Sequence, residues 1–217
     1  MTIYLLRHGE TRGNAERIVQ LPDVPLSDRG REQACKLGAR LAKLPGTGIA
    51  HVLASDLTRA RETAEFVRKA TGAPLELDPL LHERNLGDVR GTPYAELDVD
   101  LFSPDYAPPG GETWEIFHAR VDRAWQRILE VAVATRGHLA VVSHGLVCLS
   151  LARRHLSLPS DATPEAGFGN TSVTEIQIEP PYVVTLFNCT AHLEADVRND
   201  GRVGATDGEA GAKGGPV

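Results

Sequence analysis

Ile3-Tyr4-Leu5-Leu6-Arg7-His8-Gly9-Glu10-Thr11 decides how the rest of the chain is read. Four apolar residues in a row, without polar alternation, fit a strand buried on both faces. The run ends in Arg-His-Gly. A second stretch, Leu139-Ala140-Val141-Val142-Ser143-His144-Gly145, has the same layout and also ends in His-Gly. Strands buried on both faces belong to parallel sheets covered by helices, and ligands of such sheets gather beyond the carboxyl ends of the strands. A glycine directly after each histidine lets the backbone turn sharply or come close to a ligand. One His-Gly pair says little. Two at equivalent strand ends, one preceded by Arg7, make His8 and His144 candidate site residues.

The neighbouring segments extend the pattern. Ser27 is placed to cap a helix running to about Leu44, with Ala34, Leu37 and Leu41 on one face. His51 to Ala54 reads as a strand, Leu57 to Thr71 as a helix ended by Gly72, and Leu75 to Leu77 as a third strand. Trp114, Phe117, Val121, Trp125, Ile128 and Ala132 keep a helical period over Glu112 to Thr135. Gly145 to His155 reads as a helix. Val173 to Ile178 and Tyr182 to Phe187 read as late strands joined through Pro180-Pro181 in a hairpin-like turn. This rhythm predicts a three-layer α/β/α fold with a mainly parallel central sheet. Residues 79–111 lack a period and are punctuated by Pro93, Pro104, Pro108 and Pro109, as expected for a functional or mobile insertion. One domain is expected over residues 1–198. Residues 199–217, rich in Gly and Ala and without aromatics, read as a disordered, dispensable tail.

The chain has 217 residues, 41% of them hydrophobic and 24% charged, enough to bury a core without disulfides. Its net charge of −6 speaks against general nucleic-acid binding. The first residues carry no basic leader, and no run of apolar residues is long enough to span a membrane. Cys35, Cys148 and Cys189 are scattered and form no CxxC pair, which fits thiols in a reducing compartment. A cytoplasmic protein without nucleic-acid or membrane partners is therefore expected. No ligand spacing suggests a metal, and no cofactor is expected. The oligomeric state stays open, a dimer being one option.

A third strand end contributes Arg59, in Ala54-Ser55-Asp56-Leu57-Thr58-Arg59-Ala60-Arg61-Glu62-Thr63-Ala64. A cation in the first turn of a helix works against the macrodipole. An anionic ligand shared by the arginine and the helix end would relieve the conflict. Arg61, beside Glu62 and Glu65, reads as an ordinary exposed ion-pairing residue.

Taken in order, Arg7-His8-Gly9-Glu10-Thr11 with Asn14, Pro25-Leu26-Ser27-Asp28-Arg29-Gly30, Arg59-Ala60-Arg61-Glu62-Thr63-Ala64, Glu83-Arg84-Asn85-Leu86-Gly87, Pro109-Gly110-Gly111-Glu112-Thr113, Ser143-His144-Gly145 and Asn170-Thr171-Ser172 resemble the histidine phosphatase superfamily, the phosphoglycerate-mutase-like group. The resemblance covers residues 7 to about 172. Leu21 departs from it, since a glycine is common after the preceding glutamine.

The resemblance implies that His8 is the nucleophile, forming a phosphoramidate. Arg7 and Arg59 would hold the phosphoryl group through their forked guanidinium donors, and His144, if protonated, would add a third cationic donor. Asn14 is carried over as a neutral amide donor; Thr11 and Gly145 would complete the substrate-binding set. Glu83 would act as general acid and then general base, which calls for a pKa raised from the ordinary ~4.3. The direction of that shift does not follow from sequence. His82 is a candidate for the substrate mouth, His192 for a support residue and Glu112 for a partner of the phosphate pocket.

Members of this family hydrolyse phosphate esters or move phosphate within a molecule. The short stretch from Glu83 to Pro109, Arg17-Ile18-Val19-Gln20, and Gly110-Gly111-Glu112 with Phe117 and Arg120 resemble the phosphatase type. A phosphatase is therefore expected, with mutase-type phosphoryl transfer and a non-catalytic module that binds a phosphorylated ligand as the alternatives, and the expected partner is a small phosphorylated substrate. Arg17, His82, Arg84 and Tyr94 are candidates to select an acidic sugar phosphate or a phosphoglycerate-like compound, and an α-ribazole phosphate is another option.

Overall fold

The computed structural model describes residues 1–193; the predicted tail and the end of the predicted domain lie outside the described residues. Strands β1 (Thr2–Arg7), β2 (Ile49–Ala54), β3 (Leu75–Leu77), β4 (His138–Ser143), β5 (Val173–Gln177) and β6 (Val184–Cys189) form one sheet in the order β3-β2-β4-β1-β5-β6. The first four in that order are parallel; on the β1 side β5 runs antiparallel to β1, and β6 antiparallel to β5.

Both faces of the sheet are covered, as the unbroken apolar runs require. Ile3, Leu5, Leu53, Leu139 and Val141 point into a core shared with Phe117, Val121, Trp125 and Ile128 of α4 (Trp114–Ala134) and with Val147, Cys148 and Leu151 of α5 (Gly145–His155). Their alternating neighbours Tyr4, Leu6, Val52, Ala54, Ala140 and Val142 pack on Leu37 and Leu41 of α2 (Asp28–Leu41) and on Ala60, Ala64 and Val67 of α3 (Thr58–Thr71). The period-two alternation within each strand therefore feeds two cores.

Most predicted bounds hold within a residue or two. Ser27 caps α2 by accepting from Gly30 N–H, but the helix closes at Leu41 rather than Leu44. Tyr182 sits at φ 60°, so β6 starts at Val184 and runs on to Cys189. A short helix, α1 (Arg12–Ala15), has no counterpart in the sequence reading because a single turn is too short to show a period. Thr11 caps it, and Asn14 returns a bond to the Thr11 N–H in a capping box.

The insertion, residues 79–111, is irregular as expected, with three isolated 3-10 turns, but it is tied down along its length. Val19, Leu86 and Leu101 form a small core of their own with Val89, Tyr94, Leu97, Phe102 and Tyr106 around it. Gly87, at φ 56°, passes so close to the 109–111 backbone that a Cβ would lie 1.9 Å from the Pro109 carbonyl oxygen.

Candidate active site

Parallel register brings three strand ends level. Arg7 pairs with Ser143, and Ala54 with Val142. The next residues out, His8, Ser55 and His144, stand side by side: His8 N–H donates to Ser143 O at 3.0 Å and Ser55 N–H to Val142 O at 3.0 Å. The rings of His8 and His144 are 5.1 Å apart between centroids. A narrow cleft opens over His8, lined also by Arg7, Gln20, Leu57, Arg59, Glu83, Arg84, Arg90, Tyr94 and Leu146 among others.

His8 is buried, and its Nδ1 lies 2.7 Å from Gly9 O. A carbonyl can only accept, so Nδ1 carries the ring proton and Nε2 keeps its lone pair. Burial, reinforced by the charges of Arg59 and Arg7, pushes its pKa well below the ordinary value. The ring is thus held neutral, the state in which imidazole is a nucleophile. The loop that carries it is fastened from several sides. Asn170 Nδ2 (3.0 Å) and Thr171 N–H (3.2 Å) donate to His8 O, while Gly9 N–H donates to Thr63 Oγ1 at 3.0 Å and Glu10 N–H to Gln33 Oε1 at 2.8 Å. The first turn of α2 presses on the same loop: a Cβ on Gly30 would come within 1.9 Å of Glu10 O.

Arg7 and Arg59 are both buried at the cleft. Arg7 donates to Phe168 O and Arg59 to Leu21 O at 3.1 Å. Arg59 keeps a buried Nε without a partner, and its pKa is lowered to about 10 by burial, with Glu83 opposing and Arg7 and Arg90 adding to the shift. It remains a cation at any physiological pH. No side chain caps the α3 N-terminus on which Arg59 sits.

His144 is fully buried, 2.9 Å from Ser55 Oγ through Nε2, while its Nδ1 has no partner. Burial, Arg59 and His8 push its pKa well below the ordinary value. The expected third cation is therefore a neutral ring before substrate arrives, because it is buried and stands among positive charges led by Arg59. A dianionic ligand would reverse that balance.

Glu83 spans the insertion and α5: Oε1 accepts from Arg84 N–H at 2.9 Å and Oε2 from Leu146 N–H at 3.1 Å. Burial raises its pKa above the ordinary carboxyl value; the two N–H bonds and the charges of Arg59 and Arg7 oppose this without cancelling it. This direction, open in the sequence, is the one a general acid needs.

Other expected residues divide. Asn14 uses its carbonyl oxygen on Thr11 N–H, Thr11 Oγ1 and Asn170 Nδ2, so it can meet a ligand only through its NH₂. Thr11 is fully buried in the capping box of α1 and bonds Gln20 Oε1 at 2.8 Å, which makes it a support of the loop. Gly145 opens α5 and is buried. Arg84 departs from the substrate-binding expectation. Although it lines the cleft wall, its guanidinium donates to Glu112 O (3.1 Å), Leu101 O (3.1 Å) and Tyr106 O (2.8 Å) and lies 3.8 Å over the Trp114 ring. Three of its five N–H donors are engaged in holding the insertion. His82 pairs with Asp56, and Arg17 is exposed over the Tyr94 ring. Glu112 grips Arg120 in two bonds of 2.8 and 2.7 Å. Burial opposes, but these bonds and Asn85 N–H hold its carboxyl below the usual range.

Sequence reading missed Ser55 and Arg90. Ser55 had a usable signal, since it follows β2 as His8 follows β1. Arg90 had none. His192, expected as a support, receives Arg40 at Nδ1 (3.3 Å) and contacts through Nε2 (3.1 Å) the Oγ1 of Thr171, whose N–H is one of the donors to His8 O. Among the described residues, no group of three or more His, Cys, Asp or Glu could hold a metal ion, and no helix is long and apolar enough to cross a membrane.

Comparison with known proteins shows the family and the fold. The family model of the histidine phosphatase superfamily (branch 1) matches residues 3–189. A Salmonella paratyphi B protein named "Probable phosphoglycerate mutase GpmB" is 32% identical over 211 residues, covering 90% of this chain and 96% of that protein. Among solved structures, Bacillus stearothermophilus YhfR superposes with a TM-score of 0.74 at 32% identity, over 88% of this chain and 98% of its own. The α-ribazole phosphatase of Shigella flexneri gives 0.74 at 28% identity, over 88% and 98%. Mycobacterial glucosyl-3-phosphoglycerate phosphatase gives 0.71 at 27%, over 87% and 98%. The chain belongs to the histidine phosphatase superfamily, branch 1.

Proposed function

We propose that the protein is a cytoplasmic phosphomonoester hydrolase that works on a small phosphorylated metabolite, without a metal ion, through a phosphohistidine at His8. One observation carries this reading: a neutral His8 with a lone pair on Nε2 shares a narrow cleft with two buried arginines and with Glu83, whose carboxyl is biased toward its protonated form. In the first step Nε2 attacks phosphorus and the ester P–O bond breaks. Glu83 gives its proton to the leaving oxygen, and Arg7, Arg59 and His144 hold the phosphoryl oxygens. In the second step Glu83 takes a proton from water as the water oxygen attacks phosphorus. The N–P bond breaks, inorganic phosphate leaves and neutral His8 returns. Positioning and charge stabilisation are the main demands of such transfers, and fixed guanidinium groups supply both.

Two of the solved structures compared above are named as phosphatases, which favours hydrolysis. The relative named as a mutase favours phosphoryl transfer within the substrate, which uses the same first step. A panel of phosphorylated metabolites, assayed in parallel for phosphate release and for positional isomers, separates the two. Release should exceed isomerisation; the reverse would assign the chain to transfer. On the mechanism, an acid-labile phosphoenzyme should be trapped from the wild type and be missing from His8→Ala. Its persistence in that variant would overturn the nucleophile assignment.

A further inference from the structure

Three of the arginines lining the cleft differ in what their charge already meets. Arg84 is spent on three carbonyls. Arg59 reaches Leu21 O and stands beside His8. Arg90 lines the same cleft as His8, Arg59 and Glu83, yet among the described residues its guanidinium has no hydrogen bond and no ion pair within contact distance. The carboxylate that acts on it, Glu112, already holds Arg120 through both oxygens.

Arg90 is also held in place. Its N–H donates to Gly87 O at 3.2 Å, and the residues after it are laced to the segment that follows α1. Gly91 N–H donates to Val19 O (2.7 Å), Val19 N–H to Thr92 O (2.9 Å) and Tyr94 N–H to Arg17 O (2.8 Å). The backbone thus presents a partly buried guanidinium to the cleft from a fixed base. A phosphoryl dianion is matched by Arg7 and Arg59, and Glu112, the carboxylate nearest in effect to Arg90, is already held by Arg120. That leaves one cation in excess, and an unpaired, partly desolvated cation is costly. Burial lowers the Arg90 pKa, in keeping with that cost.

We propose that Arg90 is a specificity-determining residue that pairs with a second anionic group on the leaving-group side of the substrate, a carboxylate or a second phosphate. This rests on the hydrolase reading above and goes beyond it by assigning the residue that would select, among phosphomonoesters, those that carry another anion.

The test uses a matched set on the full chain: propyl phosphate, phosphooxypropanoate, propanediol bisphosphate and aminopropyl phosphate, with p-nitrophenyl phosphate as the activity reference. Wild type should favour an anionic tail over the propyl tail by about ten- to a hundredfold in kcat/KM, the range expected for one charge-assisted pair. Whichever anionic tail scores higher identifies the carboxylate or the phosphate. Arg90→Gln should collapse the ratio toward one, mainly through KM. Arg90→Glu should turn the preference toward the aminopropyl tail. A wild-type ratio near one, or a ratio unchanged in Arg90→Gln, overturns the proposal, and the first of these needs no variant. Failure of the hydrolase reading looks different, because then no compound, p-nitrophenyl phosphate included, releases phosphate.

Discussion

At His8 and Glu83 the same burial acts in opposite directions. Burial disfavours the charged form of each, so the imidazole stays unprotonated and the carboxyl holds its proton to higher pH than an ordinary glutamate. The first chemical step needs both conditions together. As pH rises through the raised Glu83 pKa, the acid is lost and kcat/KM for an alkyl phosphate should fall. Glu83→Gln should remove that alkaline limb and lower the rate by about 10²–10⁴-fold. An aryl phosphate with a good leaving group should lose less. An alkaline limb that survives in Glu83→Gln would assign it to another group. Roles at this scale were partly legible. Arg7, His8, Arg59 and His144 stand at strand and helix ends that the apolar pattern marks. Arg84 was not legible, because its acceptors at Leu101, Tyr106 and Glu112 lie far along the chain.

The elements around the cleft are set by close approach. Gly30 stands in the first turn of α2, where alanine would ordinarily favour the helix by about 1 kcal/mol. Its missing Cβ would lie 1.9 Å from Glu10 O, inside any contact distance, so α2 would have to retreat from the nucleophile loop. Overpacking of this kind costs about 1–3 kcal/mol and sometimes more, so the clash outweighs the propensity gain. Gly30→Ala should therefore lower unfolding stability and reduce kcat together, since the loop that moves carries His8. Chemical denaturation and steady-state kinetics check this; a variant more stable than wild type would show that α2 yields freely. Sequence placed α2, α3 and α5 well because their apolar faces repeat. It left the insertion without structure because the anchors there, Arg84 and Arg120, act through distant carbonyls.

Over the whole molecule, several histidines are folded in as neutral rings. His8 and His144 lie well below the ordinary pKa near 6.5, and His192 is lowered to about 4 by burial, Arg40 and Lys36. Below about 6.5 the unfolded chain binds protons at these positions that the folded chain refuses. Stability should therefore drop as pH falls from about 6.5 toward 4. Glu83, with its raised pKa, acts in the opposite direction over part of that range, but one carboxyl faces three rings. Thermal unfolding followed across this window should show a falling midpoint, and a flat profile would contradict the neutral assignments. Saturating phosphate, which favours protonated His144, should flatten the fall.

By itself the sequence determined the layers of this protein and the strand ends that carry its candidate site. Apolar runs buried on both faces have few solutions other than a covered parallel sheet, and His-Gly after such a run can only stand at its edge. The tertiary structure decided the rest. Charge state depends on what surrounds a group in three dimensions, so only the fold could make His144 neutral and raise Glu83. Availability depends on which donors are already engaged, so only the fold could tie Arg84 to three carbonyls and leave the Arg90 guanidinium at the cleft without a hydrogen bond among the described residues.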